Sequence, residues 1–236
     1  MDFTGYNING ITELARAIKT SYNSLGEIMA NPWPTLQATM QAEWVGPDEQ
    51  SYEGLLAKDI CTLYEVCRDT IQTLMNNVVA IGEAWKEFQS KNIISGAETY
   101  QAVGSLPTAI TLDGFDIAGV VNRKEVDFTY YTNYGLVNGQ NSYNVINTAL
   151  EQYVTEVING VNSLYQSLDS SKAFLGGGQA DTINEYMVRI GQAVSNVSTA
   201  HDAIKEALRT LLANYNAQVS EINTQVNAAG TEGQQQ

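Results

Sequence analysis

Residues 44–90, WVGPDEQSYEGLLAKDICTLYEVCRDTIQTLMNNVVAIGEAWKEFQS, constrain the rest of the chain more than any other stretch. Apolar side chains recur at Tyr52, Leu56, Ile60, Leu63, Cys67, Ile71, Leu74, Val78, Ile81, Trp85 and Phe88. Steps of three and four throughout predict one helix with a single narrow apolar stripe. Its start is marked in the sequence. Gly46 suits the N-cap, Pro47 the first helical position, and Asp48 and Glu49 the positive end of the dipole. About 43 residues at ~1.5 Å each give a rod of roughly 65 Å. A rod with one apolar face has to bury it against other rods.

The remaining sequence offers three more helices of this kind. Residues 8–30 place Ile8, Ile11, Leu14, Ala15, Ile18, Tyr22, Leu25 and Met29 on one face, and Asn31-Pro32-Trp33-Pro34 breaks the run. Thr35–Glu43 reads as a short second piece, and Trp44-Val45-Gly46 turns the chain into the long helix. Residues 144–170 carry Ile146, Leu150, Val154, Val157, Val161, Leu164 and Leu168, and the chain turns again at Phe174-Leu175-Gly176-Gly177-Gly178. A last helix from about Gln179 to Val226 shows Ile183, Met187, Ile190, Val194, Val197, His201, Ile204, Leu208, Leu211 and Tyr215, close to a 3.5-residue repeat. Between the halves, β-prone runs at Thr99–Val103, Thr108–Leu112, Phe115–Val121 and Val126–Tyr131 alternate with Gly, Pro and Asp-Gly breaks, as in a small β subdomain. The expected fold is therefore mainly α. It is a long-helix four-helix bundle made of two helical hairpins (1–92 and 143–227), a β-rich insert at 93–142 and a polar tail at 228–236.

The order helix, Trp-x-Gly turn, helix, with Trp44-Val45-Gly46 followed by Pro47-Asp48 and Ser51-Tyr52, resembles the WXG superfamily of helical-hairpin proteins associated with type VII secretion. The resemblance covers roughly residues 8–90. Phe174-x-Gly176 stands where a second Trp-x-Gly would, so the second half reads as a degenerate copy. The break at Asn31–Pro34 is a departure from the family pattern. So is the Tyr-x-x-x-Asp/Glu export signal: Tyr165 to Asp169 fits its letters but precedes the second turn, and Tyr215 is followed by Val219. The resemblance implies a non-enzymatic interaction protein whose hairpin-turn residues are Trp44, Gly46, Phe174 and Gly176. Separate family members pair with their turns at opposite ends. Here a compact insert predicts the other order, up-down-up-down, with Trp44 and Phe174 at one end and the insert at the other.

Charge and chemistry bound the function. A formal charge of −14 disfavours nucleic acid and anionic membranes as partners. Only 16% of residues are charged, against roughly 25% in ordinary domains. The N-terminal MDFTGYNINGITEL has no Sec-type signal pattern, and no run is apolar enough to span a bilayer. The expected location is outside the cell by a Sec-independent route, or within an extracellular or viral particle. No catalytic, metal or cofactor residues and no small-molecule substrate are expected. His201 is the sole histidine and falls in the apolar stripe, while Cys61 and Cys67 are six apart on one helix, which is too far for a disulfide. Gly176-Gly177-Gly178 lacks the strand and lysine of a phosphate loop. Asp113 and Asp116 read as loop solvation, and the sequon at Asn196 as buried in helical register. Protein partners or self-assembly remain. The alternatives are a structural subunit of a phage particle or surface filament and an α-helical pore former with a β-tongue, the latter disfavoured by Asp113, Asp116 and Lys124 in the insert.

Overall fold

The computed structural model describes residues 8–91, 117–121, 135–171 and 178–232. The fold is mainly α. Its elements are α1 (Ile8–Ala30), α2 (Trp33–Glu43), β1 (Trp44–Val45), α3 (Pro47–Lys91), α4 (Ile117–Val121), β2 (Gly135–Leu136), α5 (Gly139–Ser171) and α6 (Gly178–Glu232). The expected stripes form the core. Leu56, Ile60, Leu63, Cys67, Ile71 and Leu74 of α3 are buried, as are all seven expected positions of α5 from Ile146 to Leu168. The side chains of Val78, Ile81, Trp85 and Phe88 lie outside the described residues, as do those of Ile8, Ile11, Leu14, Ala15 and Ile18.

The four long helices form a square in which every principal neighbour is antiparallel. α1 packs on α3 and α5, and α6 packs on the same two, which leaves α1/α6 and α3/α5 on the diagonals. Tyr22 of α1 stacks on Tyr64 of α3 at 5.0 Å, each about equally far in sequence from the Trp44 turn. Leu25 and Ile28 of α1 approach Gly160 of α5, where an added Cβ would come within 3.1 Å of the Ile28 side chain. Lower on α1 means higher on α5, so these two run in opposite senses.

The Asn31–Pro34 break deflects the first arm of the hairpin without reversing it. α2 starts at Trp33, earlier than expected, because Pro32 stands at the N-cap and Pro34 lies in the first turn, where a missing N–H leaves no hydrogen bond unmade. Trp33 sits edge-on to Tyr153 at 5.6 Å, and Glu43 lies beside Ser142. Thus α2 continues along α5 in the direction of α1.

Two expectations are overturned. Phe115–Val121 was to be a strand, yet Ile117–Val121 is a helical turn that buries Ile117 and Val121 against α1, α2 and α3. The helices beneath this segment offer it no strand edge, and by coiling its backbone satisfies its own polar groups. Thr99–Val103, Thr108–Leu112 and Val126–Tyr131 lie outside the described residues. The second correction concerns the order of the helices. β2 pairs antiparallel with β1, Trp44 opposite Leu136 and Val45 opposite Gly135. α5 therefore starts at the Trp44 end, and the 171-to-178 bend, where Phe174 and Gly176 fall outside the described residues, joins helix ends at the opposite end. The arrangement is not up-down-up-down. Two strand residues are enough to pin the return of the chain because the hydrogen bonds and the buried Leu136 fix α5's start beside the first turn.

Candidate interaction site at the ribbon end

The β1–β2 ribbon gathers what the sequence marks as distinctive. Trp44 follows α2 in extended conformation (φ −126°, ψ 115°), and its N–H donates to the Met40 carbonyl. Its side chain is 1% exposed and its ring centroid lies 5.6 Å from that of Tyr52 one turn into α3. It fills the closed end of the hairpin. The indole N–H meets no acceptor among the described residues, so the ring is held by packing alone. Gly46 has φ 140°, a backbone state that side chains rarely tolerate, and it lets Pro47 open α3 directly after the strand.

Polar side chains that the sequence did not single out clamp this end. Glu53 is fully buried on α3, and its two carboxylate oxygens accept from the amides of Gln37 at 2.7 Å and Gln41 at 3.0 Å on α2. A buried carboxylate is tolerable only with such partners. Ser142 is also fully buried. Its hydroxyl donates to Glu43 at 2.6 Å and accepts from the Asn138 N–H at 2.8 Å, while the Val137 N–H donates to the Glu43 carbonyl at 3.0 Å. Glu43 thereby ties the end of α2 to the start of α5. Glu53 was detectable as a carboxylate beside Tyr52 and Leu56 on the apolar side of the stripe. The Ser142 contact, across 99 residues of sequence, had no sequence signal.

α6 reaches the ribbon from the far end and overshoots it. Lys205 binds the Glu151 carboxylate on α5 and holds it below the usual carboxylate range. His201, half-buried in the stripe as expected, faces the same Glu151 with Nε2 3.9 Å away, and its Nδ1 lies 3.5 Å from Asp202. Tyr215 lays its ring on Gly139, where an added Cβ would fall 2.4 Å from the ring. Beyond Leu212, each described side chain of α6 is exposed.

The other candidates are dispersed. Cys61 is half-buried and Cys67 buried, and the two are not joined by a disulfide. Asn196, expected to be buried, is exposed on α6, because it lies off the Val194–Val197 stripe. Asp113, Asp116 and Lys124 lie outside the described residues. Among the described residues no group of three His, Cys, Asp or Glu is placed to hold a metal ion, and no helix is long and apolar enough to cross a membrane. Comparison with protein families, with curated proteins and with solved structures gave no significant match.

Proposed function

We propose that this chain is a non-enzymatic helical interaction protein of the type VII secretion kind, in which one polypeptide supplies both hairpins of a pair. The observation that carries the reading is the pairing itself. The first hairpin turns through a buried Trp44 and a positive-φ Gly46, and the second is packed against it with its bend at the opposite end. That is the arrangement the family resemblance implies for separate hairpins, reached here within a single chain by returning the connection between α3 and α5. Such a bundle would be exported folded, and its partners would be proteins. The test is co-expression of the chain with a type VII secretion ATPase in a bacterial host. Accumulation in the medium that stops when the ATPase nucleotide site is inactivated supports the reading. Equal amounts in the medium with active and inactive ATPase refute it.

A second reading, a structural subunit of a phage particle or surface filament, draws on the length of α6 that projects past the ribbon. It requires open-ended assembly of the purified chain, visible by electron microscopy. A chain that forms only closed species at high concentration excludes it.

A further inference from the structure

α4 is too short and too poor a helix former to hold its own conformation. Its five residues, Ile117-Ala118-Gly119-Val120-Val121, make little more than one turn and include a glycine and three β-branched side chains. Isolated helices are marginal in water even at ~12–15 residues. Contact with the bundle is what makes this segment helical. Ile117 and Val121, four apart, share one face and are buried, whereas Ala118, Gly119 and Val120 are exposed. The buried face lies on α1, α2 and α3.

That position coincides with the weak point of the first arm. α1 and α2 are the two pieces of the arm on either side of the Asn31–Pro34 break, and α4 packs on both pieces as well as on α3. From the α5 side, the Tyr153 hydroxyl donates to the Met29 carbonyl just before the break, and the Trp33 ring just after it lies edge-on to Tyr153. The break is therefore braced by Tyr153 towards α5 and by α4 towards α3. The two braces are anchored very differently. Tyr153 belongs to a helix of 33 residues whose stripe is buried from Ile146 to Leu168, and it cannot leave unless the bundle comes apart. α4 is held by Ile117 and Val121.

We propose that α4 is a latch, which opens while the four long helices stay packed, uncovers the surface shared by α1, α2 and α3, and frees the break from one of its two braces. Docking and coiling are one event here. When the anchors leave the bundle, the turn loses what keeps it helical, so the latch has a closed and an open state. Opening of such a unit lies below the free energy of global unfolding. The inference rests on the fold alone and is independent of the secretion reading.

Thiol labelling of the full chain tests it. In a Cys61→Ser background, Cys67 on α3 is fully buried and reports opening of the bundle. Val121→Cys places a second thiol on the packed face of α4. Iodoacetamide modification of both is followed by peptide mass spectrometry, and the urea-unfolded chain supplies the rate of an open thiol. Folded domains exceed their unfolded forms by ~10³ or more, so the Val121→Cys thiol is expected to react at least about tenfold faster than Cys67 in the same molecule. It should still react several times more slowly than in the unfolded chain. Ile117→Cys repeats the measurement at the other anchor, and the Cys67 rate should be the same with and without either substitution. Equal labelling of the α4 thiol and Cys67 overturns the proposal, because α4 would then open only with the bundle. Labelling at the unfolded rate overturns it too, since α4 would not be docked. So does a Cys67 rate raised by both substitutions, which would make α4 an integral part of the core.

Discussion

Tyr153→Phe removes one oxygen from the core and isolates what holds the first arm of the hairpin in place. The Tyr153 hydroxyl donates to the Met29 carbonyl at 2.9 Å across the α1–α5 contact. Met29 lies just before the break, where Pro32 and Pro34 have no N–H to give to the last turn of α1. The phenol is 2% exposed, and phenylalanine keeps both its ring and the edge contact with Trp33. What is lost is the bond, with a buried carbonyl left behind. Such a loss costs about 1–3 kcal/mol, and for a chain of this length it lowers Tm by about 2–4 °C per kcal/mol. Urea unfolding followed by circular dichroism, with m unchanged, reads the difference directly. A loss below about 0.5 kcal/mol, smaller than the net value of an ordinary hydrogen bond, would show that water reaches Met29. The hydroxyl would then contribute nothing to holding the break against α5.

Trp44→Ala should cost about 3–5 kcal/mol, the range for emptying a large aromatic site; a loss under about 1 kcal/mol in the same assay would mean that the ring does not close the hairpin. His201→Leu should stay within about 1 kcal/mol of wild type or stabilise, since Nε2 has no hydrogen-bond partner among the described residues and Val197 and Ile204 already flank it, and a larger loss would assign the Glu151 contact real weight. Burial pushes the Cys67 thiol up from 9.0 to about 12, so at pH 8 iodoacetamide should modify half-buried Cys61 well before Cys67, as read by peptide mass spectrometry; equal rates contradict the packing. The same shift has a stability consequence. The folded thiol keeps its proton where the unfolded one releases it, so its contribution is complete below pH 9 and declines as pH rises towards 12.

The helices were legible because burial on one side of a rod leaves a period in the letters. Leu56 to Leu74 and Ile146 to Leu168 announce both their structure and their inward face. The start of α5 was not, because Gly139-Gln140-Asn141-Ser142 carries no apolar period. That turn is fixed by Glu43 at the bend of the first hairpin, 99 residues away in sequence. The direction of the second hairpin escaped for a related reason. It depends on where the 92–134 connection delivers the chain, and among the described residues the trace of that is the pairing of Gly135-Leu136 with Trp44-Val45 and the bonds from Val137 and Ser142 to Glu43. Ile117–Val121 was misread because β-branched content reports a preference for a pleated surface, and the surface supplied here is made of helices. At the candidate site, Trp44 and Gly46 were visible as a motif. Glu53, Ser142 and Tyr153 act through partners 12 to 124 residues away, which spacing within one helix cannot reveal. The projection of α6 was hidden too, since its stripe continues past Tyr215 with no change in pattern where the body ends.

The central claim is that the two hairpins lie with their bends at opposite ends of one bundle. A pulsed-EPR distance between spin labels at Ser51 and Asp181, both exposed, measures it directly in a Cys61→Ser background. Ser51 lies one turn from the ribbon, and Asp181 is 34 residues before Tyr215, the α6 residue that packs on Gly139. At ~1.5 Å per residue the account predicts a separation of about 40–50 Å. A distance of about 20 Å or less, the width of two packed helices, would put both bends at the same end and contradict it.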